Sequence, residues 1–197
     1  MQITLICDPA QHSEWSSEAA QWVQTPEEAP AGALLIDLLF DGSELRLAQL
    51  RAHTGSVWVN DVAGAAVESG FVRINSWRGF TANGVVEAAA AGHLQADAEA
   101  AASLLGKKLE WLPDTPGFVS PRVVAMIINE AFHALSEGVS TKEEINTAMK
   151  LGTAYPYGPF EWAAIIGLKN VAGLLQAMAR INPRYEPNAL LLQEAGV

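Results

Sequence analysis

The chain has 197 residues, 50% of them hydrophobic and 17% charged, enough apolar material for a buried core and far from the composition of a disordered protein. Twelve Lys and Arg against 22 Asp and Glu leave a net charge of −10, which argues against nucleic acid and anionic membrane surfaces as partners. One cysteine, Cys7, allows no internal disulfide, and the four histidines (His12, His53, His93, His133) form no close ligand pair, so no metal site is expected. The N-terminus (MQITLICDPAQHSEW) has no basic segment, and its apolar run is too short for a signal peptide or a membrane span. The expectation is a soluble, cytoplasmic, acidic protein.

Residues 2–7 (QITLIC) are β-branched and apolar, the pattern of a buried strand, and Asp8-Pro9 ends it. The polar residues 10–21 predict a short helix. Residues 33–40 (ALLIDLLF) form a nearly continuous apolar run, as in a strand covered on both faces. Ser43 is the expected N-cap of a helix reaching about Arg51. Ser56–Asn60, Phe71–Ile74 and Gly84–Glu87 are further short strands. A helix from about Leu94 to Leu105 carries the stripe Leu94, Ala98, Ala101 and Leu105 and stops at Gly106. Lys107-Lys108 is then read as a basic pair at the helix C-terminus.

The pattern changes after Trp111-Leu112-Pro113-Asp114-Thr115-Pro116-Gly117, and from Ser120 onward only helices are predicted. Ser120 is the expected N-cap and Pro121 the first helical residue, where a missing N–H costs nothing. Val124, Ile127, Ile128, Ala131 and Leu135 mark one face, and Gly138 closes this helix. Ser140 with Glu143 reads as a capping box that opens a helix ending at Gly152. Residues 155–160 (YPYGPF) form a rigid turn, followed by helices at about 160–166 and 169–180. The expected fold class is α/β followed by all-α, divided into 1–113 and 114–197.

No nucleophile elbow or Walker loop is present. The dinucleotide fingerprint fails as well. After the first strand the chain reads Cys7-Asp8-Pro9-Ala10, where glycines would bring backbone amides to a diphosphate. Proline removes a donor, and aspartate carries the wrong sign.

Five stretches stand in the order and spacing of one family: Asp114–Val119, Asn129-Glu130-Ala131, Glu137-Gly138-Val139, Ala148–Gly152 and Tyr155–Glu161. Over residues 114–190 the chain resembles the 3-hydroxyacyl-CoA dehydrogenase family. The resemblance implies a helical C-terminal domain that forms a homodimer and helps enclose an acyl-CoA, preceded here by a reduced, truncated Rossmann-like domain. Upstream, Leu35–Leu47 resembles the strand-helix unit after the adenosine-binding half, and Phe71–Glu87 resembles the catalytic segment. There the family carries a histidine, in His-Phe-Phe-Asn-Pro, and a glutamate at a fixed distance beyond it. Glu87, 12 residues after Asn75, keeps the glutamate's position, while Asn75 replaces the histidine. An amide has no useful basicity near neutral pH, and losing a general base costs about 10²–10⁴ in rate. Pro121 also stands where the family has an asparagine. Asn60, Trp77, Arg78 and Ser120 are the expected substrate-binding residues.

The interval from Cys7 to Ala33, 26 positions on, holds at most one short β-α unit. The adenosine-binding half is therefore expected to be deleted, and the family's NAD to be unbound, leaving no cofactor. The expected function is a non-catalytic dimer, or a binder of acyl-CoA or another small molecule, that has lost the NAD-binding loop and the catalytic histidine. The alternative is an active oxidoreductase of 3-hydroxyacyl-CoA (fatty-acid) metabolism with an altered site.

Overall fold

The structure, a computed structural model, describes residues 1–15, 17–64 and 70–197. It consists of two compact units, Met1–Phe118 and Val119–Val197.

The first unit is a seven-stranded sheet. Its strands are β1 (Ile3–Ile6), β2 (Ala20–Trp22), β3 (Leu34–Asp37), β4 (Val57–Asn60), β5 (Phe71–Ile74), β6 (Val85–Ala89) and β7 (Lys108–Trp111), in the spatial order β2-β1-β3-β4-β5-β6-β7. All neighbours are parallel except β5 and β6. The side-chain period of two divides each strand between two cores. Leu34 and Ile36 join Ile3, Leu5, Trp58, Val72 and Ile74 on one face, with Trp15 of α1 (His12–Trp15) and the alanines of α3 (Gly92–Leu104). Leu35 joins Ile6, Val57 and Val59 on the other face, against Leu50 of α2 (Glu44–Ala52). Double coverage is why these strands read as continuous apolar runs.

Two strands escape the sequence pattern, and both lie at sheet edges. β2 is three residues of mixed polarity, none buried, yet it pairs with β1 in parallel. It is reached through a 3-10 turn, Pro9–Gln11, and the four residues of α1. One short β-α unit therefore survives beside β1, and the expected deletion of the adenosine-binding half is corrected to a shortening. β7 buries only Leu109. Its existence also corrects the reading of Lys107-Lys108: α3 stops at Leu104, and Gly106, at φ +64°, turns the chain into the new strand. Lys107 Nζ donates to Thr81 O at 2.8 Å, and Lys108 lies 3.8 Å from Glu110.

The second unit holds α4 (Ser120–Ser136), α5 (Lys142–Thr153), α6 (Pro159–Ile166), α7 (Leu168–Ala179) and α8 (Ala189–Ala195). Pro121, Ala125, Ile128 and Phe132 form the buried stripe of α4, turned by a fraction of a residue from the face expected. Val119 is the N-cap and Ser120 the first helical residue. The capping box of α5 is Thr141 with Glu144, one residue later than expected. Phe132 meets Phe160 edge-on at 5.1 Å, and Lys142, bound to Glu194, reaches over both rings. Asn188 ties α8 to α4: its N–H donates to Asn129 Oδ1 at 2.8 Å, and its amide lies 3.0 Å from His133 Nδ1. Among the described residues no single helix is long and apolar enough to cross a membrane. Only α6 and α7 together reach that length, and they bend by 98° between them.

Candidate functional site

β1, β3, β4 and β5 run in parallel, so their C-terminal ends share one edge of the sheet, and the strand order reverses at β1 between β2 and β3. Open α/β sheets bind ligands along such an edge. Asn60 ends β4, and Asn75 follows β5. The antiparallel register of β5 and β6 (Ile74 opposite Ala88) then sets Glu87 across from Asn75.

The Asn75 N–H donates to Glu87 O at 2.9 Å, and Asn75 Nδ2 donates to Glu87 Oε2 at 3.1 Å. Asn75 Oδ1 accepts from the Trp77 N–H at 3.1 Å. Asn60 Oδ1 accepts from the Ser76 N–H at 2.9 Å, while its Nδ2 donates to Leu38 O at 3.2 Å. The structure thus bonds Asn75 directly to Glu87 and places Asn60 beside them, on the N–H of the next residue, Ser76. Trp77 is buried and packs edge-on against Phe80 at 6.2 Å, so it presents no stacking surface to solvent. Arg78 is exposed. Ser120 belongs to the second unit, in the first turn of α4 with the buried Pro121.

The segment after Asn75 is clamped by residues that the sequence pattern did not mark. Gln11 Nε2 donates to Ser76 O and Trp15 Nε1 to Ser76 Oγ, both at 2.8 Å. The Glu14 carboxylate accepts from the Gly79 N–H at 3.0 Å and from Thr81 Oγ1 at 2.6 Å. Burial pulls the Lys107 ammonium below its ordinary range, and Glu14 opposes that pull.

A second cluster follows β4. Arg73, fully buried in β5, donates to Asp61 O at 2.6 Å, to Thr115 O at 2.8 Å and to the Asp114 carboxylate, and its guanidinium lies 4.3 Å from the Phe118 ring centre. These contacts hold residues 114–118 to the first unit and accompany the positive φ of Gly117 and Phe118. The Asp61 carboxylate accepts from the Gly64 N–H at 2.7 Å, and burial pushes this carboxyl above its ordinary range. An arginine inside the apolar strand FVRI was the available signal, since a buried guanidinium requires partners.

Chemically, an amide at position 75 donates and accepts but takes up no proton. Glu87 is the group beside it that can. For a dinucleotide the fit is divided. A cavity of about 360 Å³ opens beyond β2 and β3, lined by Gln24, Leu39, Asp41, Ser43, Arg46 and Gln49, with room for a nucleoside. Arg46 there is committed to the fully buried Asp37, at 2.6 and 3.0 Å. At the β1 turn Asp8 Oδ1 accepts the Ala10 N–H at 2.8 Å, so a diphosphate would meet a carboxylate instead of free amides. Among the described residues no group of three His, Cys, Asp or Glu side chains is placed to hold a metal.

The family model for the 3-hydroxyacyl-CoA dehydrogenase C-terminal domain matches residues 117–195. The chain is similar to 3-hydroxyadipyl-CoA dehydrogenase of Escherichia coli K12, at 45% identity over 92 residues that make up 46% of this chain and 19% of that enzyme. Curated relatives of this kind are matched over 19% to 34% of their own length. Among solved structures, M. tuberculosis FadB2 matches 90% of this chain and 71% of its own with a TM-score of 0.72 at 19% identity. The (S)-3-hydroxybutyryl-CoA dehydrogenase PaaH1 of Ralstonia eutropha matches 89% of this chain and 69% of its own, with a TM-score of 0.71 at 25% identity. The fold is accordingly a Rossmann-like sheet with a helical C-terminal domain.

These matches overturn the expected absence of a cofactor. The relatives are dehydrogenases, and the family the chain resembles uses NAD. The expectation rested on a missing glycine turn and a deleted nucleotide half. The turn concerns the diphosphate contact alone, and the half is shortened, with β2 still in place beside β1. Residues 117–195 thus match the C-terminal domain of the 3-hydroxyacyl-CoA dehydrogenases, and the chain shares the fold of solved dehydrogenases of that kind.

Proposed function

We propose that this protein is an NAD-linked member of the family that binds a 3-hydroxyacyl-CoA thioester at the Asn60–Asn75–Glu87 group and turns it over far more slowly than a relative with a histidine at position 75. One observation carries the reading: both polar atoms of the Asn75 side chain are committed, Nδ2 to Glu87 and Oδ1 to the Trp77 N–H. Oxidising a 3-hydroxyl group to a ketone releases the hydroxyl proton. Asn75 cannot take that proton, because an amide oxygen has no useful basicity near neutral pH. Glu87 can accept it only as a carboxylate already holding the Asn75 amide. The expected loss is that of a general base, about 10²–10⁴ in rate.

The dimer belongs to the same reading. Val123, Val139, Leu151 and Ile181 of the helical unit are 47%, 70%, 82% and 70% exposed, apolar surface that a second copy would cover.

Calorimetry with 3-hydroxybutyryl-CoA, paired with an assay of its NAD-dependent oxidation, tests the reading. Micromolar binding with turnover well below the roughly 10 s⁻¹ of an ordinary enzyme supports it. Turnover at that ordinary rate, or no binding at all, contradicts it.

A further inference from the structure

Residues 1–118 carry 15 Asp and Glu against six Lys and Arg. With acids in such excess, each cation has carboxylates to choose from, and five of the six are engaged. Arg46 holds Asp37, Arg73 holds Asp114, Lys107 holds the Thr81 carbonyl, Lys108 lies near Glu110, and Arg51 has a partner of its own. Arg78 is the exception: its side chain is exposed, without a hydrogen-bond or ion-pair partner among the described residues.

Its position is as unusual as its freedom. Arg78 stands three residues beyond Asn75, between positions pinned on both sides. Ser76 is held through its N–H, its carbonyl and its hydroxyl by Asn60, Gln11 and Trp15, while Trp77 is bound back to Asn75. On the far side the Gly79 N–H and the Thr81 hydroxyl are held by Glu14. The backbone that carries Arg78 is thus ordered before any ligand arrives, so binding does not have to order it. A guanidinium presents a planar fork of donors matched to carboxylate and phosphate oxygens.

We propose that Arg78 binds an oxyanion of the ligand at the Asn60–Asn75–Glu87 group: a carboxylate at the far end of the acyl chain, or a phosphate of its carrier. The proposal rests on the reading of that group as an acyl-thioester site and adds the charge of the ligand it selects.

The test titrates the full chain and its Arg78→Gln variant with glutaryl-CoA, with butyryl-CoA, and with the corresponding N-acetylcysteamine thioesters, which lack phosphates. A charge-assisted hydrogen bond corresponds to a loss of roughly tenfold or more in affinity. If the chain carboxylate is the partner, Arg78→Gln weakens both glutaryl ligands and leaves both butyryl ligands unchanged. If a carrier phosphate is the partner, both CoA thioesters weaken alike and neither N-acetylcysteamine thioester changes. Equal affinities of wild type and Arg78→Gln for every ligand overturn the proposal and leave the site reading standing. Failure of the wild type to bind any thioester overturns the site reading, and the proposal with it.

Discussion

Asp61 is held at a cost. It follows Asn60 at the end of β4, where burial raises its carboxyl above the ordinary value and the nearby Asp114 adds to the rise, against the Gly64 N–H and Arg73. A carboxyl raised on folding adds stability that is full below its unfolded value, near pH 4, and is lost as pH rises through the folded value. Asp61→Asn removes the charge and keeps an oxygen for the Gly64 N–H. The variant should melt above wild type at pH 7, where the wild-type carboxylate is charged and buried. Below pH 4 the two should melt together; a lower melting temperature for Asp61→Asn at pH 7 contradicts the account. Cys7 gives a second check, because burial and the neighbouring Asp8 push its thiol up to about 11. Iodoacetamide at pH 8 should modify it far more slowly in the native than in the denatured protein. At this scale the sequence carried the pairing of Asn75 with Glu87, through the spacing of a resembled motif. It carried nothing of Gln11, Glu14 and Trp15. Their partners lie 61 to 67 positions away, and isolated polar residues leave no period to read.

Among the elements, β1, β3, β4 and β5 were legible because two covered faces demand apolar residues in succession. β2 and β7 were not, since an edge strand buries little: AQW buries nothing and KLEW only Leu109. Capping positions slipped by one residue for a related reason. Ser140 and Thr141 are both good caps, and the choice between them is made by Glu144, whose carboxylate reaches both hydroxyls. The turn between α5 and α6 shows a constraint of space. Gly158 has φ −75°, open to any residue, but a Cβ there would stand 2.5 Å from Asn146 Cα and 2.4 Å from its Oδ1. That oxygen accepts the Phe160 N–H at 2.9 Å. Gly158→Ala should therefore cost about 1–3 kcal/mol, as overpacking does. Gly173, inside α7 with nothing near its absent Cβ, is the control: Gly173→Ala should gain roughly 0.5–1 kcal/mol. Chemical denaturation of both variants measures the contrast, and equal stabilities contradict it.

For the whole molecule, charge is divided unequally. The acidic excess sits in residues 1–118, while exposed Val139, Leu151 and Ile181 belong to the helical unit. The proposed homodimer through that unit predicts a light-scattering mass twice the 21.0 kDa of the chain. A dilute-solution mass of one chain, free of aggregation, contradicts it.

At position 75 an amide stands where the oxidation needs a base, with the Glu87 carboxylate bonded beside it. Comparing wild type with Asn75→His for NAD-dependent oxidation of 3-hydroxybutyryl-CoA tests it most directly. A histidine at position 75 would keep Glu87 as its carboxylate partner across the β5–β6 register. The account predicts a rise in kcat of at least about 10² for Asn75→His, the lower end of what a general base contributes. Equal turnover by the two proteins, whether both fast or both absent, would contradict it.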